Sequence, residues 1–152
     1  MNLDEYIRSE CDRGHTTNYQ EMRDAYDHAL TACESVESLV STLGNLVEPE
    51  VNPPAGFRHN YRTSNDGFMH GGPLCPASEV PLRMERWVDS ADSVLDRNYQ
   101  CSEKDAHLLI RIFLDIHPFV DGNGRVASIL YNLMIGKLGD PEPLPYYYLP
   151  SP

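Results

Sequence analysis

The stretch from residue 48 to residue 81 constrains the fold of this chain more than any other feature. It holds six of the twelve prolines and four of the ten glycines, a composition that excludes regular helix. The segments before and after it carry apolar residues at three- and four-residue steps, which is the period of an amphipathic helix. The sequence therefore predicts helices separated by one long loop. Loops of this length in compact domains are more often functional than idle.

The first predicted helix covers residues 17 to 44 and has one apolar stripe. Thr17 followed by Gln20 fits a capping box, in which each side chain satisfies a backbone amide of the first turn. Gly44 is expected to end the helix, because glycine is the usual residue just past a helix C-terminus.

Three further helices are predicted after the long loop. One begins at Glu79 and again shows a single apolar stripe. The segment EKDAHLLIRIFLDI, residues 103 to 116, is apolar on most sides, so we expect it to be the central, buried helix. The fourth helix ends near Gly136 or Gly139. The tail 140–152 is rich in proline and is expected to add no further element.

Within the long loop, the run YRTSNDGFMHG, residues 61 to 71, has the pattern of a hairpin. An Asn-Asp-Gly turn lies between two short runs that can be extended. The sequence therefore predicts a small β-hairpin in this part of the loop.

Composition is close to that of ordinary globular proteins and excludes several classes of function. A chain of 152 residues is expected to form a single domain, 1–152. Its formal net charge of −11 would repel a phosphate backbone, so we expect no nucleic acid partner. No run has the pattern of a signal peptide or of a membrane span, which predicts a cytoplasmic location and no membrane partner. The four cysteines include no C-x-x-C pair and are expected to be free thiols.

One short segment, DIHPFVDGNGRVASIL from Asp115 to Leu130, combines residue types that a simple turn does not need. Its Asp-Gly and Asn-Gly dipeptides are common in turns, but a turn requires neither His117 nor Arg125. A calcium loop is excluded because Asn132 stands where that loop needs a glutamate. A P-loop is excluded because no Gly-Lys-Ser/Thr follows the glycines.

The remaining interpretation is an anion site at the start of a helix. Gly122 and Gly124 let the backbone approach a ligand, the helix N-terminus favours negative charge, and Arg125 adds a bidentate donor. Asp121 can hold Mg²⁺, which prefers one or two carboxylates together with phosphate oxygens. His117 can take a proton from an incoming hydroxyl, because an imidazole titrates close to neutral pH. The segment therefore indicates phosphorus chemistry.

The run HPFVDGNGR, from His117 to Arg125, resembles the signature of Fic domains in the Fic/Doc superfamily and matches it at all nine positions. The resemblance extends more weakly over residues 56 to 138, through GFRHNYRTSN, PASEVPLRMERWV and Asn132. It implies an all-α, Fic-like helical bundle with a small β-hairpin flap and a core of about residues 17–140. It also implies a nucleotidyltransferase that moves AMP from Mg-ATP to a Ser, Thr or Tyr hydroxyl of a target protein.

The resemblance also implies roles for individual residues. His117 would be the general base, Phe119 a buried anchor for the loop, and Asp121 the Mg²⁺ ligand. The nucleotide would be held by Gly122, Asn123, Gly124, Arg125 and Asn132, with Arg125 on the β-phosphate. The flap would align the target segment by strand addition and would comprise Tyr61, Arg62, Thr63, Ser64, Phe68 and Met69.

Two departures from the family's pattern bear on function. Adenylylating members usually carry a second arginine three residues after the first, and Ser128 stands there instead. Because position 128 is one helical turn past Arg125, a long side chain at 128 is expected to reach the distal phosphate. The nearest match to the family's inhibitory helix, TNYQEM from Thr17, has methionine in its final place, so self-inhibition of that kind is not expected.

Three functions remain open. The leading one is an adenylyltransferase. The second is a Doc-like phosphotransferase that moves the γ-phosphate, although Doc-like proteins usually have lysine where this chain has Gly124. The third is a binding module with a degenerate site, for which Ser128 is the only indication.

Overall fold

The computed structural model describes residues 1–56, 59–65 and 75–145. Its helices, in chain order, are α1 (Leu3–Arg13), α2 (Tyr19–Leu30), α3 (Val36–Val47), a short 3-10 turn (Ala77–Glu79), α4 (Val80–Val94), α5 (Glu103–Ile116) and α6 (Asn123–Met134). No β-strand occurs in these three ranges. The predicted all-α fold is confirmed.

Helix α1 was not predicted. Asn2 caps its N-terminus by accepting a hydrogen bond from the backbone N–H of Glu5, and Asp4 adds negative charge to the first turn, where the helix dipole favours it. Four residues of one face are buried against the rest of the chain: Tyr6, Ile7, Glu10 and Cys11.

The predicted helix from residue 17 to residue 44 is two helices, α2 and α3. They are separated after Leu30, and Ser35 starts α3 by accepting a hydrogen bond from the backbone N–H of Ser38. The capping box predicted for Thr17 is wrong, because the residue that caps α2 is Asn18 and its side chain makes no capping bond. Gly44 lies inside α3 and does not end it.

The centre of the core is α6, not α5 as the sequence predicts. The span of α5 agrees with the prediction, but Leu108 and Ile112 on its outer face are 58% and 39% exposed. In contrast, ten of the twelve residues of α6 are buried, and α6 contacts α1, α2, α3 and α5. A helix can carry a broad apolar face and still lie at the surface of the bundle.

The predicted β-hairpin flap is not seen. Residues 59–65 contain no strand, and Asp66 and Gly67 of the predicted turn, together with Phe68 and Met69, lie outside the described residues. Among the described helices, none is both long and apolar enough to cross a bilayer. All four cysteines are free thiols, as predicted.

Candidate active site

The candidate site begins where α5 ends, at His117. This residue has a left-handed backbone conformation, with φ of 53°, and its N–H donates to the carbonyl of Phe113 at 3.0 Å. Pro118 follows, and the residue before a proline is disfavoured in the α-helical conformation. The helix therefore stops at His117, and the loop from 118 to 122 turns back toward the start of α6.

Phe119 fixes the middle of this loop in the core. Its side chain is fully buried, and its ring lies 5.9 Å from the ring of Tyr61, centroid to centroid. The ring also packs against the backbone of Gly44 in α3, where a Cβ atom would lie only 2.3 Å from ring carbons. The ring of Phe119 thus fills the space beside Gly44, which explains why position 44 is glycine.

Asn123 holds the loop from the first turn of α6. Its side-chain oxygen accepts from the N–H of Phe119 and its Nδ2 donates to the carbonyl of Phe119, both at 2.9 Å. The side chain is buried and engaged on both atoms. A phosphate contact from this residue would therefore come from its backbone N–H, one of the amides that a helix N-terminus leaves without an intrahelical partner.

Asn52, in the long loop, makes a second set of bonds to the same segment. Its Nδ2 donates to the carbonyls of Gly44 and Asp121, each at 2.8 Å, and its Oδ1 accepts from the N–H of Val120 at 3.2 Å. The side chain is fully buried. Sequence reasoning missed this residue, because an asparagine beside two prolines has the pattern of an ordinary loop.

Asp121 and the two glycines form the opening at the start of α6. Asp121 Oδ1 accepts from the N–H of Gly122 at 2.7 Å, and the side chain is 31% exposed. Gly122 has φ of +86°, and a Cβ atom there would lie 2.7 Å from Val47 Cγ2, so a larger residue would be strained on two counts. A Cβ atom at Gly124 would meet nothing within 4 Å, so the space beside the first turn is open.

The donor set at this opening fits Mg²⁺ held together with a polyphosphate. Asp121 is a single carboxylate, and the described residues contain no group of three or more side chains that could hold a metal by themselves. Mg²⁺ characteristically takes one or two carboxylates and completes its shell with phosphate oxygens and water.

Arg125 is buried beside this opening and is paired with two carboxylates, those of Glu48 and Asp121. Its side chain is 2% exposed, and Nη2 lies 2.8 Å from Glu48 Oε1 and 3.6 Å from Asp121 Oδ1. Nη1 donates to the carbonyl of Val47 at 3.2 Å, at the end of α3. The other carboxylate oxygen of Glu48 accepts from Asn18 Nδ2 at 3.0 Å. The guanidinium therefore holds α6 to α3, and its predicted contact with a β-phosphate stays a prediction.

Ser128 and Asn132 face α1 and the C-terminal segment. Ser128 Oγ lies 2.6 Å from the hydroxyl of Tyr6, and both Ser128 and Asn132 are fully buried. Asn132 Nδ2 donates to the carbonyls of Ser128 and Glu142, and its Oδ1 accepts from the N–H of Glu142, all at 2.9 Å. Asn132 thus ties α6 to the chain that follows, and Ser128 lies in the core against α1; the predicted contacts of positions 128 and 132 with a nucleotide stay predictions.

A buried carboxyl group lies beside Ser128. Glu10 is 2% exposed, and burial raises its pKa to about 7, although Arg13 and a hydrogen bond from Ser128 act in the opposite direction. The distance from Arg13 Nη1 to Glu10 Oε1 is 3.5 Å. No sequence pattern marks Glu10, because its burial depends on how α1 docks against α6.

The residues assigned to the flap are divided between core and surface. Tyr61 is 9% exposed and Arg62 is 3% exposed, and the ring of Tyr61 stacks on His59 at 4.9 Å, centroid to centroid. Thr63 and Ser64 are exposed. Of the predicted docking residues that the structure describes, only these last two are exposed, and their role in docking stays a prediction.

Comparison with known proteins identifies the family of this chain. The family model described as the Fic/DOC family matches residues 30–135, well over half of the chain. The chain therefore belongs to the Fic/DOC family, and the resemblance seen in the sequence is confirmed. A Fido domain-containing protein of Dictyostelium discoideum is 51% identical over 37 residues. That match covers 24% of this chain and about a quarter, 26%, of the relative.

Proposed function

We propose that this protein is an adenylyltransferase that transfers AMP from Mg-ATP to a Ser, Thr or Tyr hydroxyl of a target protein. The observation that carries the proposal is the opening at the start of α6. There His117 at the end of α5 and the carboxylate of Asp121 flank one short, firmly held loop, and the open side of Gly124 lies in the first turn of α6. Membership of the Fic/DOC family supports the general type of activity.

In the proposed reaction, the target hydroxyl oxygen forms a bond to the α-phosphorus of ATP. The bond from that phosphorus to the oxygen bridging to the β-phosphate breaks, and pyrophosphate leaves. The imidazole of His117 accepts the hydroxyl proton. The backbone N–H groups at the start of α6 donate to the α-phosphate oxygens, where negative charge is concentrated in the transition state.

Asp121 would hold Mg²⁺ against the phosphates, and the metal would supply positive charge there when bound. The carboxylate is oriented for this by its bond to the N–H of Gly122, which occupies Oδ1. Asn52 supports the same residue through the Asp121 carbonyl. The protein's own contribution is therefore a carboxylate whose backbone and side chain are both fixed before nucleotide binds.

A second candidate, transfer of the γ-phosphate, is favoured by one observation. Arg125 is already paired with Glu48 and Asp121, and position 128 is an uncharged serine against Tyr6 of α1, so neither side chain supplies a free cation for the distal phosphates. If no cation of the protein holds the β- and γ-phosphates, ATP can bind in the reversed orientation that the Doc-like alternative requires.

Labelled ATP separates the two reactions. The protein is incubated with cell extract and Mg²⁺, and with ATP labelled at either the α- or the γ-phosphate, with the His117→Ala variant as the matched control. Label from the α-phosphate on protein, absent with the variant, is the expected result. Label from the γ-phosphate alone would identify a phosphotransferase, and no label from either position would indicate a binding module.

A further inference from the structure

The guanidinium of Arg62 is buried at the point where α5 ends. Its Nε donates to the carbonyl of His117 at 2.6 Å, and its Nη2 donates to the carbonyl of Ile116 at 3.2 Å. The backbone N–H of Arg62 donates to the carbonyl of Pro118 at 2.8 Å. One residue of the long loop therefore holds three consecutive carbonyl groups, those of residues 116 to 118.

The same guanidinium also binds the long loop itself. Nη1 donates to the carbonyl of Ser64 at 3.1 Å, and Nη2 also donates to the carbonyl of Cys75. Arg62 thus joins two points of its own loop to the end of α5, and only 3% of the residue is exposed.

The charge of Arg62 has no carboxylate partner among the described residues, since every acceptor around it is a backbone carbonyl. Unpaired carbonyls at a helix C-terminus carry partial negative charge, so a cation is favourable there. Burial nevertheless lowers the pKa of Arg62, because desolvation disfavours the charged form. Arg62 is therefore a cation at a position where burial opposes its charge, and two of its guanidinium bonds go to the carbonyls of Ile116 and His117.

We infer that Arg62 is a positioning residue for His117. The sequence analysis assigns Arg62 instead to target docking. His117 has a left-handed backbone, a conformation that residues other than glycine adopt at some cost. Arg62 donates to the carbonyls of Ile116, His117 and Pro118. These bonds fix the backbone conformation of His117 and therefore the direction of its imidazole. The inference rests on the proposed function only for the claim that this direction matters for transfer.

The experiment uses protein labelled with ¹³C and ¹⁵N at histidine, and NMR of the imidazole signals, with His117 assigned by its loss in His117→Ala. In Arg62→Met the His117 ring signals are expected to shift and broaden, while those of His28, which pairs with Glu34, stay in place. Arg83→Met is the matched control, because Arg83 is exposed and its one ion pair among the described residues is with Glu79 at 3.3 Å. It should leave the His117 signals unchanged.

A second variant guards against misfolding. Arg62→Lys keeps the charge but cannot reproduce the planar fork of donors, so its His117 signals should lie between those of the parent and of Arg62→Met. If Arg62→Met does not fold, the inference is tested by comparing the His117 signals of Arg62→Lys with those of the parent. Unchanged His117 signals in a folded Arg62 variant would overturn the inference.

Transfer kinetics give a second readout. Misplacement of a reacting group by about 1 Å can cost on the order of 100-fold in rate, so kcat for α-phosphate transfer should fall about 10- to 100-fold in Arg62→Met. KM for ATP should change little, because Arg62 does not border the start of α6. An equal loss in Arg83→Met would contradict a specific role for Arg62. If the parent transfers no label while the NMR result holds, the proposed function fails and the positioning role stands.

Discussion

The ring of Phe119 packs directly on the backbone of Gly44, and a Cβ atom at that position would lie 2.3 Å from the ring. We expect Gly44→Ala to force Phe119 out of its place and to loosen the loop that carries His117 and Asp121. Overpacking of this kind typically costs about 1–3 kcal/mol. Thermal unfolding should therefore begin at lower temperature, and transfer of label from ATP should fall with it.

Gly139→Ala is the control for this substitution, because a Cβ atom there would meet nothing within 4 Å. Equal stability of Gly44→Ala and Gly139→Ala would show that the ring can move aside at no cost and that the loop does not depend on this contact.

Asn52→Asp tests the second support of the loop. The substitution keeps the shape but replaces the two N–H donors that bind the carbonyls of Gly44 and Asp121. Leaving buried acceptors unsatisfied costs about 1–3 kcal/mol each, and the new carboxylate would face both carbonyls. We expect a clear drop in the urea midpoint, whereas Asn98→Asp, at an exposed position, should change it little. Similar midpoints for the two variants would refute the supporting role of Asn52.

The sequence predicted the helical class, the span of α5 and the resemblance to the family, since each depends on local patterns. The predictions from sequence failed where tertiary contacts determine the local structure. Gly44 has the pattern of a helix end, yet it lies inside α3. Position 44 is glycine because the ring of Phe119 packs against its backbone. Asn52 and Arg62 carry no motif, because their bonds are to backbone groups far along the chain. The sequence spacing could not predict the contacts of Arg125, since its partner Glu48 lies at the end of another helix, α3.

The buried pair of Arg125 and Glu48 gives a stability prediction. Removing one partner of a buried ion pair leaves the other charge uncompensated and typically costs about 3–5 kcal/mol. Asp121 Oδ1, 3.6 Å from Arg125 Nη2, still compensates part of the charge, so we expect Glu48→Gln to lower the free energy of unfolding by part of this amount, as measured by urea denaturation. Glu79→Gln removes an exposed pair with Arg83 and should cost no more than about 1 kcal/mol. Comparable losses in the two variants would mean that Glu48 does not compensate a buried charge.

Glu10 predicts a pH dependence of stability. Burial raises the pKa of its carboxyl from 4.5 to about 7 in the folded chain, so between these values the folded state binds a proton that the unfolded state has released. Stability should therefore fall as pH rises from 4.5 to 7, by about 3 kcal/mol from this group. The groups that face it are Tyr6 and Arg13 on α1, Ser128 on α6 and the backbone of Leu144.

Urea denaturation at several pH values, for the parent and for Glu10→Gln, measures this contribution. The amide cannot ionise, so the difference in stability between variant and parent should grow in favour of the variant as pH rises toward 8. A difference that stays constant across the range would show that Glu10 is already ionised in the folded protein.

The most direct test of the account compares α-phosphate transfer by the parent and by His117→Ala under conditions where both are saturated with Mg-ATP. A general base contributes about 10²- to 10⁴-fold to rate, so the variant should lose transfer by that factor. Its affinity for ATP, measured by calorimetry, should stay close to that of the parent, because the nucleotide is held at the start of α6. Equal rates of transfer in parent and variant would contradict the assignment of His117 as the base and, with it, of this loop as the active site.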